Sequence, residues 1–127
     1  MDIRSINASG APAASGSYAQ AVDVRGCERL LFVSGQIPVA QGGDVPAGFD
    51  AQCRLVWRNV EAQLAAAGLG LDHLVKVTTY LSDRRYREAN GAIRREVLGA
   101  RTPALTVVIA GIYDEAWLLE IEAIAAA

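Results

Sequence analysis

Two carboxylates near the end of the chain have the spacing that acid–base chemistry could use. The segment WLLEIEAIA predicts a strand over 117–125, in which Glu120, Glu122 and Ile124 share one face because successive side chains point to opposite sides. A carboxylate at a reactive centre can order a water molecule or move a proton. An ion pair to another subunit would also satisfy a glutamate here, so the spacing alone leaves both interpretations open.

Residues that bind metals or act as thiol nucleophiles are scarce. The chain has two cysteines, Cys27 and Cys53, and one histidine, His73, without CxxC or HExxH spacing. A zinc site needs three or four close ligands, so no metal is expected and His73 is interpreted as structural. Two thiols without a disulfide framework suit a reducing compartment, and the N-terminal segment has no apolar signal core. The sequence therefore predicts a cytoplasmic protein.

Five arginines are concentrated in one segment, at Arg84, Arg85, Arg87, Arg94 and Arg95. We interpret them as one solvated helix face. The formal net charge of the whole chain is −2, which argues against nucleic acid or an anionic membrane as a partner, because such binding relies on clustered Lys and Arg.

Hydrophobic periodicity predicts the elements that position these residues. Apolar residues at three- and four-residue steps predict a helix over 49–68. A second helix is predicted over 82–98, capped by Ser82 or Asp83. The predicted strands cover 17–25, 29–35, 73–81, 104–112 and 117–125.

The connections between these strands also carry predictions. RGCE at 25–28 predicts a hairpin turn between the first two strands, because Gly26 supplies a permissive backbone. The acidic and aromatic segment Tyr113–Trp117 is interpreted as the tip of a hairpin between the last two strands. A specialised entrance to a site is the alternative for that segment.

The order ββαβαββ predicts an α+β fold, as a single domain over residues 1–127. One mixed sheet would pack one face on the two helices. A chain of 127 residues with 52% hydrophobic and 20% charged residues can bury one core. Nothing is left to cover the other face of the sheet, so self-association is expected.

Six segments, which together span nearly the whole chain, resemble the RidA family, also called the YjgF family. They are GSYAQAV, LFVSGQIP, VWRNVEAQLAAAGLGLDHLVKVTTYLSD, REANGAIRREV, RTPAL and EIEAIA. The resemblance implies a chorismate-mutase-like fold and a homotrimer with a central β-barrel and sites in clefts between subunits. It also implies hydrolytic deamination of imines and enamines, such as 2-aminoacrylate, without a cofactor or a metal.

The family's carboxylate-binding arginine falls on Leu105 in this sequence. A guanidinium binds a carboxylate through two charge-assisted hydrogen bonds. Losing both hydrogen bonds would remove about 3–6 kcal/mol of binding free energy. Leu105, Val107 and Ile109 share a strand face, so we expect a hydrocarbon floor in the cleft. Val107 stands where family members often carry a cysteine.

Three explanations for the missing charge remain open. Arg101 could enter the cleft from the preceding loop, or it could be a solvated loop charge. An arginine of the second helix could reach in from another subunit. The most economical explanation is a different substrate, one that is larger, less charged or more apolar than 2-aminoacrylate.

Other positions match the family's cleft. Tyr18 would donate a hydrogen bond or stack on a planar substrate, although a half-buried strand tyrosine would look the same. Glu120 would order the attacking water or move a proton. The resemblance implies Glu120 and Tyr18 as catalytic residues. The implied substrate-binding residues are Ser34, Gly35, Leu105, Val107, Arg101 and Asn90, of which Gly35 and Asn90 also have purely structural interpretations.

Two classes of function follow from these residues. We predict a RidA-like hydrolytic deaminase whose substrate range is altered by Leu105. The alternative is a non-catalytic homotrimer that binds a small molecule in the inherited cleft or serves as a regulatory partner. Ribonuclease activity is disfavoured because the chain is acidic and has no pair of histidines.

Overall fold

The computed structural model describes all 127 residues. It contains six strands and two α-helices, with short 3-10 turns at Leu71–His73 and Arg84–Tyr86. In chain order the elements are β1 (Asp2–Ile6), β2 (Ala21–Arg25), β3 (Leu30–Gln36), α1 (Phe49–Ala66), β4 (Leu74–Leu81), α2 (Arg87–Leu98), β5 (Ala104–Ile109) and β6 (Leu119–Ala126).

Four strands form the main sheet in the order β3-β6-β4-β5. β6 pairs antiparallel with β3 and with β4, whereas β4 and β5 are parallel. Parallel neighbours cannot be joined by a tight turn, and α2 supplies the crossover between them. The predicted mixed sheet is therefore confirmed.

Both helices pack on one face of this sheet. The buried residues of α1 recur at three- and four-residue steps and share a core with every second residue of β4 and β6, such as Val77, Leu81 and Ile121. α1 ends at Ala66, two residues before the predicted end of the helix at residue 68. The second helix begins later than predicted, at Arg87, and Tyr86 before it makes no side-chain capping bond. Asp83, one of the two predicted caps, instead caps the 3-10 turn ahead of α2, where its Oδ1 accepts from the backbone N–H of Arg85 at 2.9 Å.

The other face of the sheet carries polar side chains and several apolar ones. Thr78 and Tyr80 of β4 alternate with the core residues and lie opposite Glu122 and Glu120 of β6. Phe32 of β3 is 70% exposed on this face, beside Ile124. An aromatic side chain left this open on a sheet face is typical of a surface that another chain covers.

The N-terminal part of the chain differs from expectation. The strand β1 was not predicted, because all five of its residues are exposed and it shows no buried alternation. The predicted hairpin between 17–25 and 29–35 is wrong. β2 pairs with β1 in a separate two-stranded sheet, and β3 pairs with β6 instead.

The segment between β5 and β6 is also not a hairpin. β4 lies between these two strands in the sheet. Residues 110–118 therefore pass over the end of β4 at Leu81 to reach β6. The interpretation of Tyr113–Trp117 as a hairpin tip is therefore wrong. β6 instead pairs antiparallel with β4, on the side of β4 away from β5.

Gln52 of α1 holds this crossing segment in place. The side chain is 3% exposed, and its Nε2 donates to the backbone carbonyls of Pro46 and Ala116 at 3.1 and 3.0 Å. Its Oε1 accepts from the backbone N–H of Leu118 at 2.9 Å. Because β6 begins at Leu119, these bonds help to fix where Glu120 enters the sheet.

We expect Gln52→Leu to lower the free energy of unfolding by about 2–4 kcal/mol, because three backbone groups lose a partner while buried. Urea denaturation followed by circular dichroism measures the change. Gln63→Leu, at an exposed position of the same helix, should stay within about 0.5 kcal/mol of the unmodified protein. Equal losses in the two variants would contradict the role given to Gln52.

Candidate functional site

A cleft of about 910 Å³ opens between α2, β5 and the segment that precedes β2. Leu105 and Val107 of β5 line it. The pairing register explains their direction, since Leu105 lies opposite Val77 and Val107 opposite Thr79, both of which are buried core residues. Both side chains therefore point to the helix side of the sheet and give the cleft an apolar floor.

Tyr18 lines the same cleft and is held there from both sides. The backbone N–H of Ala19 donates to the carbonyl of Pro103 at 3.1 Å, which ties this segment to the start of β5. Ser17 is buried, and its Oγ accepts from Nε of Arg94 at 3.2 Å. Tyr18 lies between these two attachments, so its ring is set beside the floor of the cleft.

Asn90 of α2 contributes a polar group to the wall of the cleft. The residue is only 3% exposed, yet its amide makes no hydrogen bond to another residue of the chain and its polar atoms are not sealed off from the cleft. Buried polar side chains nearly always have a partner. The amide of Asn90 is thus available to a ligand or to a neighbouring chain.

Three arginines of α2, namely Arg87, Arg94 and Arg95, also line the cleft. Arg94 is 8% exposed, so the interpretation of the arginine cluster as a solvated face is wrong for this residue. Burial and then the neighbouring charge of Arg95 lower the pKa of Arg94, but a guanidinium stays protonated in proteins. The cleft therefore combines a hydrocarbon floor with a cationic wall in the same chain.

Glu120 and Glu122 lie on the opposite face of the sheet, as their alternation required. Tyr80 was not anticipated there. Its hydroxyl donates to Oε1 of Glu122 at 2.6 Å, and this bond, together with burial, raises the pKa of Tyr80. The parallel pattern of β4 and β6 could have identified Tyr80, because it shares the face that carries both glutamates.

Gly35 and Ser34 of β3 accompany the glutamates. A Cβ atom built on Gly35 would lie 2.6 Å from Oε2 of Glu120 and 2.9 Å from its Cγ. Any side chain at this position would displace the carboxylate. Close packing against Glu120 therefore explains why a glycine stands at position 35. The same contact fixes the position of Glu120.

Arg101 lies outside the cleft. Its Nε donates to Oδ1 of Asp72 at 2.6 Å, and its Nη1 donates to the carbonyl of Leu98 at 3.3 Å. This arrangement matches the loop-charge interpretation. It leaves the substrate-binding role that the sequence suggested for Arg101 without a geometric basis within one chain.

The candidate residues thus form two groups on opposite faces of one sheet. Tyr18, Asn90, Leu105 and Val107 surround the cleft on the helix side. Ser34, Gly35 and Glu120 lie on the helix-free side. A single chain does not bring Tyr18 and Glu120 together.

Neither cysteine lines the cleft. Cys53 is fully buried in the core, where burial raises the pKa of its thiol to about 12 and makes it a poor nucleophile. Cys27 is half-buried and free.

No group of three or more His, Cys, Asp or Glu side chains has the spacing of a metal site. Neither helix combines the length and hydropathy needed to cross a bilayer.

The sequence of residues 8–127 matches the model of the family described as Endoribonuclease L-PSP. The chain belongs to this family. The names of its relatives connect it with the RidA resemblance seen in the motifs. A RutC family protein of Aquifex aeolicus is 40% identical over 90 residues, which cover 69% of this chain and 70% of that protein.

Solved structures of this RidA family share the fold over the whole chain. YyfB of Yersinia pestis, a protein of unknown function of the Rid family, superposes with a TM-score of 0.87 at 26% identity and full coverage of both chains. TdcF of Escherichia coli K12, which is named a reactive intermediate deaminase, is 43% identical over 74 residues, or 58% of this chain and 55% of TdcF. A crystal structure of E. coli TdcF with bound serine gives a TM-score of 0.72 at 34% identity, covering 98% of each chain. The RidA assignment and the chorismate-mutase-like fold predicted from the motifs are confirmed.

Proposed function

We propose that this RidA family member is a hydrolytic deaminase of imines and enamines, acting as a cytoplasmic homotrimer without a cofactor or a metal. One observation carries the proposal. Four positions matched to the family's site, Tyr18, Asn90, Leu105 and Val107, surround one cleft. The name of the relative TdcF, a reactive intermediate deaminase, supports the reaction type.

The chemistry needs one carboxylate and a water molecule. An enamine first gains a proton at carbon and becomes an iminium ion. Water then adds to the carbon of the C=N bond while Glu120 accepts one of the water's protons, which gives a carbinolamine. Glu120 returns that proton to nitrogen, and the C–N bond breaks as the hydroxyl group releases its proton to solvent, which balances the proton taken up at carbon. The products are ammonia and a carbonyl compound. One water is consumed for each ammonia released.

We infer that a second subunit completes the site. Tyr18 and Glu120 belong to opposite faces of the main sheet, so the proposal takes Glu120 from a neighbouring chain. The exposed Phe32 on the face of Glu120 gives that neighbour an apolar contact. A closed trimer would repeat this junction three times.

The hydrocarbon floor argues for a substrate other than 2-aminoacrylate. E. coli TdcF has been crystallised with serine, a small amino acid with a carboxylate. In this chain Leu105 occupies the position of the family's carboxylate-binding arginine and lines the cleft with Val107. We expect substrates with an apolar side chain to be preferred, because they bury hydrocarbon on this floor.

Leu105→Arg tests the substrate assignment. We expect this variant to hydrolyse 2-aminoacrylate with a kcat/KM about 100-fold higher than the unmodified protein, because the new guanidinium can hold the carboxylate through two charged hydrogen bonds. A coupled assay that generates 2-aminoacrylate and records pyruvate and ammonia measures the rates.

Leu105→Met serves as the control, since it changes the shape of the side chain without adding charge. Equal rates for the leucine and arginine forms would show that the floor does not limit recognition. If neither form released ammonia from any imine while ligands still raised the thermal midpoint, the chain would be the non-catalytic binding protein.

A further inference from the structure

Two guanidinium groups converge on one point of the cleft wall. A Cβ atom built on Gly91 would lie 3.2 Å from Nη1 of Arg95 and 3.9 Å from Nη2 of Arg94. Because Gly91 has no side chain, the two guanidinium groups can pack close beside it at the cleft wall. Asn90 lies one helical turn before Arg94, so its amide belongs to the same stripe of α2.

The two charges have no counter-ion in the chain. The ion pairs of the structure join Arg4 to Asp2, Arg25 to Asp23, Arg54 to Glu96 and Arg101 to Asp72. Glu88 is the one carboxylate among the lining residues of the cleft, and it pairs with neither arginine.

Of the two arginines, Arg94 gives the stronger indication of an anion site. Ser17 accepts a hydrogen bond from its Nε, which leaves both terminal nitrogens without a protein acceptor. A guanidinium that is buried beside a like charge destabilises the fold unless an anion or a hydrogen-bond acceptor compensates it. The terminal nitrogens of Arg94, those of Arg95 and the amide of Asn90 are all donors, and they border one cleft.

We propose that Arg94, Arg95 and Asn90 bind the carboxylate of an organic acid whose hydrocarbon chain lies on Leu105 and Val107. The proposal rests on the deaminase function and deepens it. The anchor for the acid has moved from strand β5 to helix α2 of the same chain. A carboxylate held at α2 places the hydrocarbon part of the ligand between this wall and the strand floor, which favours acids longer than pyruvate.

Isothermal titration calorimetry with 2-oxohexanoate, a stable analogue of the reaction product, tests the proposal on the full-length protein. We expect 2-oxohexanoate to bind at least roughly tenfold more tightly than pyruvate, because it buries three further methylene groups. The neutral ketone 2-hexanone should bind at least roughly tenfold more weakly than 2-oxohexanoate, because it offers no charge to the guanidinium groups.

Variants identify the residues that carry the affinity. Arg94→Met and Arg95→Gln should each weaken 2-oxohexanoate binding by roughly tenfold to a hundredfold, because a charged hydrogen-bond donor is lost. The affinity of Arg94→Lys for 2-oxohexanoate should lie between those of these variants and of the unmodified protein. Lysine keeps the positive charge but lacks the planar pair of donors that a guanidinium offers a carboxylate. Arg58→Gln, at an exposed position of α1, is the matched control and should bind unchanged.

The outcomes separate this proposal from the deaminase function. Unchanged binding by Arg94→Met and Arg95→Gln would overturn the anchor, whether or not the protein releases ammonia. Weakened binding in both variants would support the anchor even if no imine were hydrolysed. Arg95 is exposed, so Arg95→Gln decides the question if Arg94→Met fails to fold.

Discussion

Glu120→Gln is expected to lower kcat/KM for imine hydrolysis by about 10²- to 10⁴-fold while leaving the fold intact. Glutamine keeps the size of the side chain, so it still fits against Gly35, where a Cβ would lie 2.6 Å from the carboxylate oxygen. It can no longer accept the proton that water loses on attack. The loss should therefore appear in kcat, with little change in the affinity for product analogues.

Ammonia release from a series of imines under single-turnover conditions measures this effect. Glu115→Gln, on the exposed segment between β5 and β6, is the control and should keep full activity. Glu122 is engaged by the hydroxyl of Tyr80 at 2.6 Å, so Glu122→Gln tests whether the neighbouring carboxylate contributes. Full activity in Glu120→Gln would remove the catalytic role assigned to this residue.

Mixed trimers should recover activity from two parents of lowered activity. Tyr18→Ala removes the ring from the cleft and should lower the rate by about tenfold or more, because the substrate loses its stacking surface and a donor. If each site takes Tyr18 from one chain and Glu120 from the next, random reassembly of Tyr18→Ala with Glu120→Gln chains gives about one quarter of the sites both residues.

The two variants are unfolded together, refolded and assayed against each parent refolded alone. Sedimentation of the product should give about three times the chain mass of 13.4 kDa. Activity no higher than the mean of the parents would show that the sites are not shared. A monomeric sedimentation coefficient would remove the subunit interface altogether.

The parts of the fold that follow a simple period could be predicted from the sequence. The stripe of α1 from Phe49 to Leu64 and the alternation of β6 from Leu119 to Ala125 each bury one side, and burial is what makes a period visible. β1 buries nothing within the chain, so its sequence carries no such signal. Strand neighbours were harder to predict, because β3 and β6 lie far apart in the sequence and their pairing leaves no local pattern in it.

The candidate site was only partly predictable for a related reason. The family motifs located Tyr18, Asn90 and Leu105, and the fold brings them together at one cleft. The role of Arg94 could not be read from the arginine cluster, because which of five neighbouring arginines turns inward depends on how α2 packs against the segment around Ser17. The separation of Tyr18 from Glu120 depends on the strand order, which the motifs do not encode.

A crystal structure of the protein with 2-oxohexanoate tests most directly whether α2 has replaced β5 as the anchor for the acid. We expect the carboxylate within hydrogen-bond distance of the terminal nitrogens of Arg94 and Arg95. The hydrocarbon chain should lie on Leu105 and Val107, and the carbonyl carbon should face Glu120 of an adjoining chain. A carboxylate held instead by Arg101, or by a guanidinium of another subunit, would contradict this assignment.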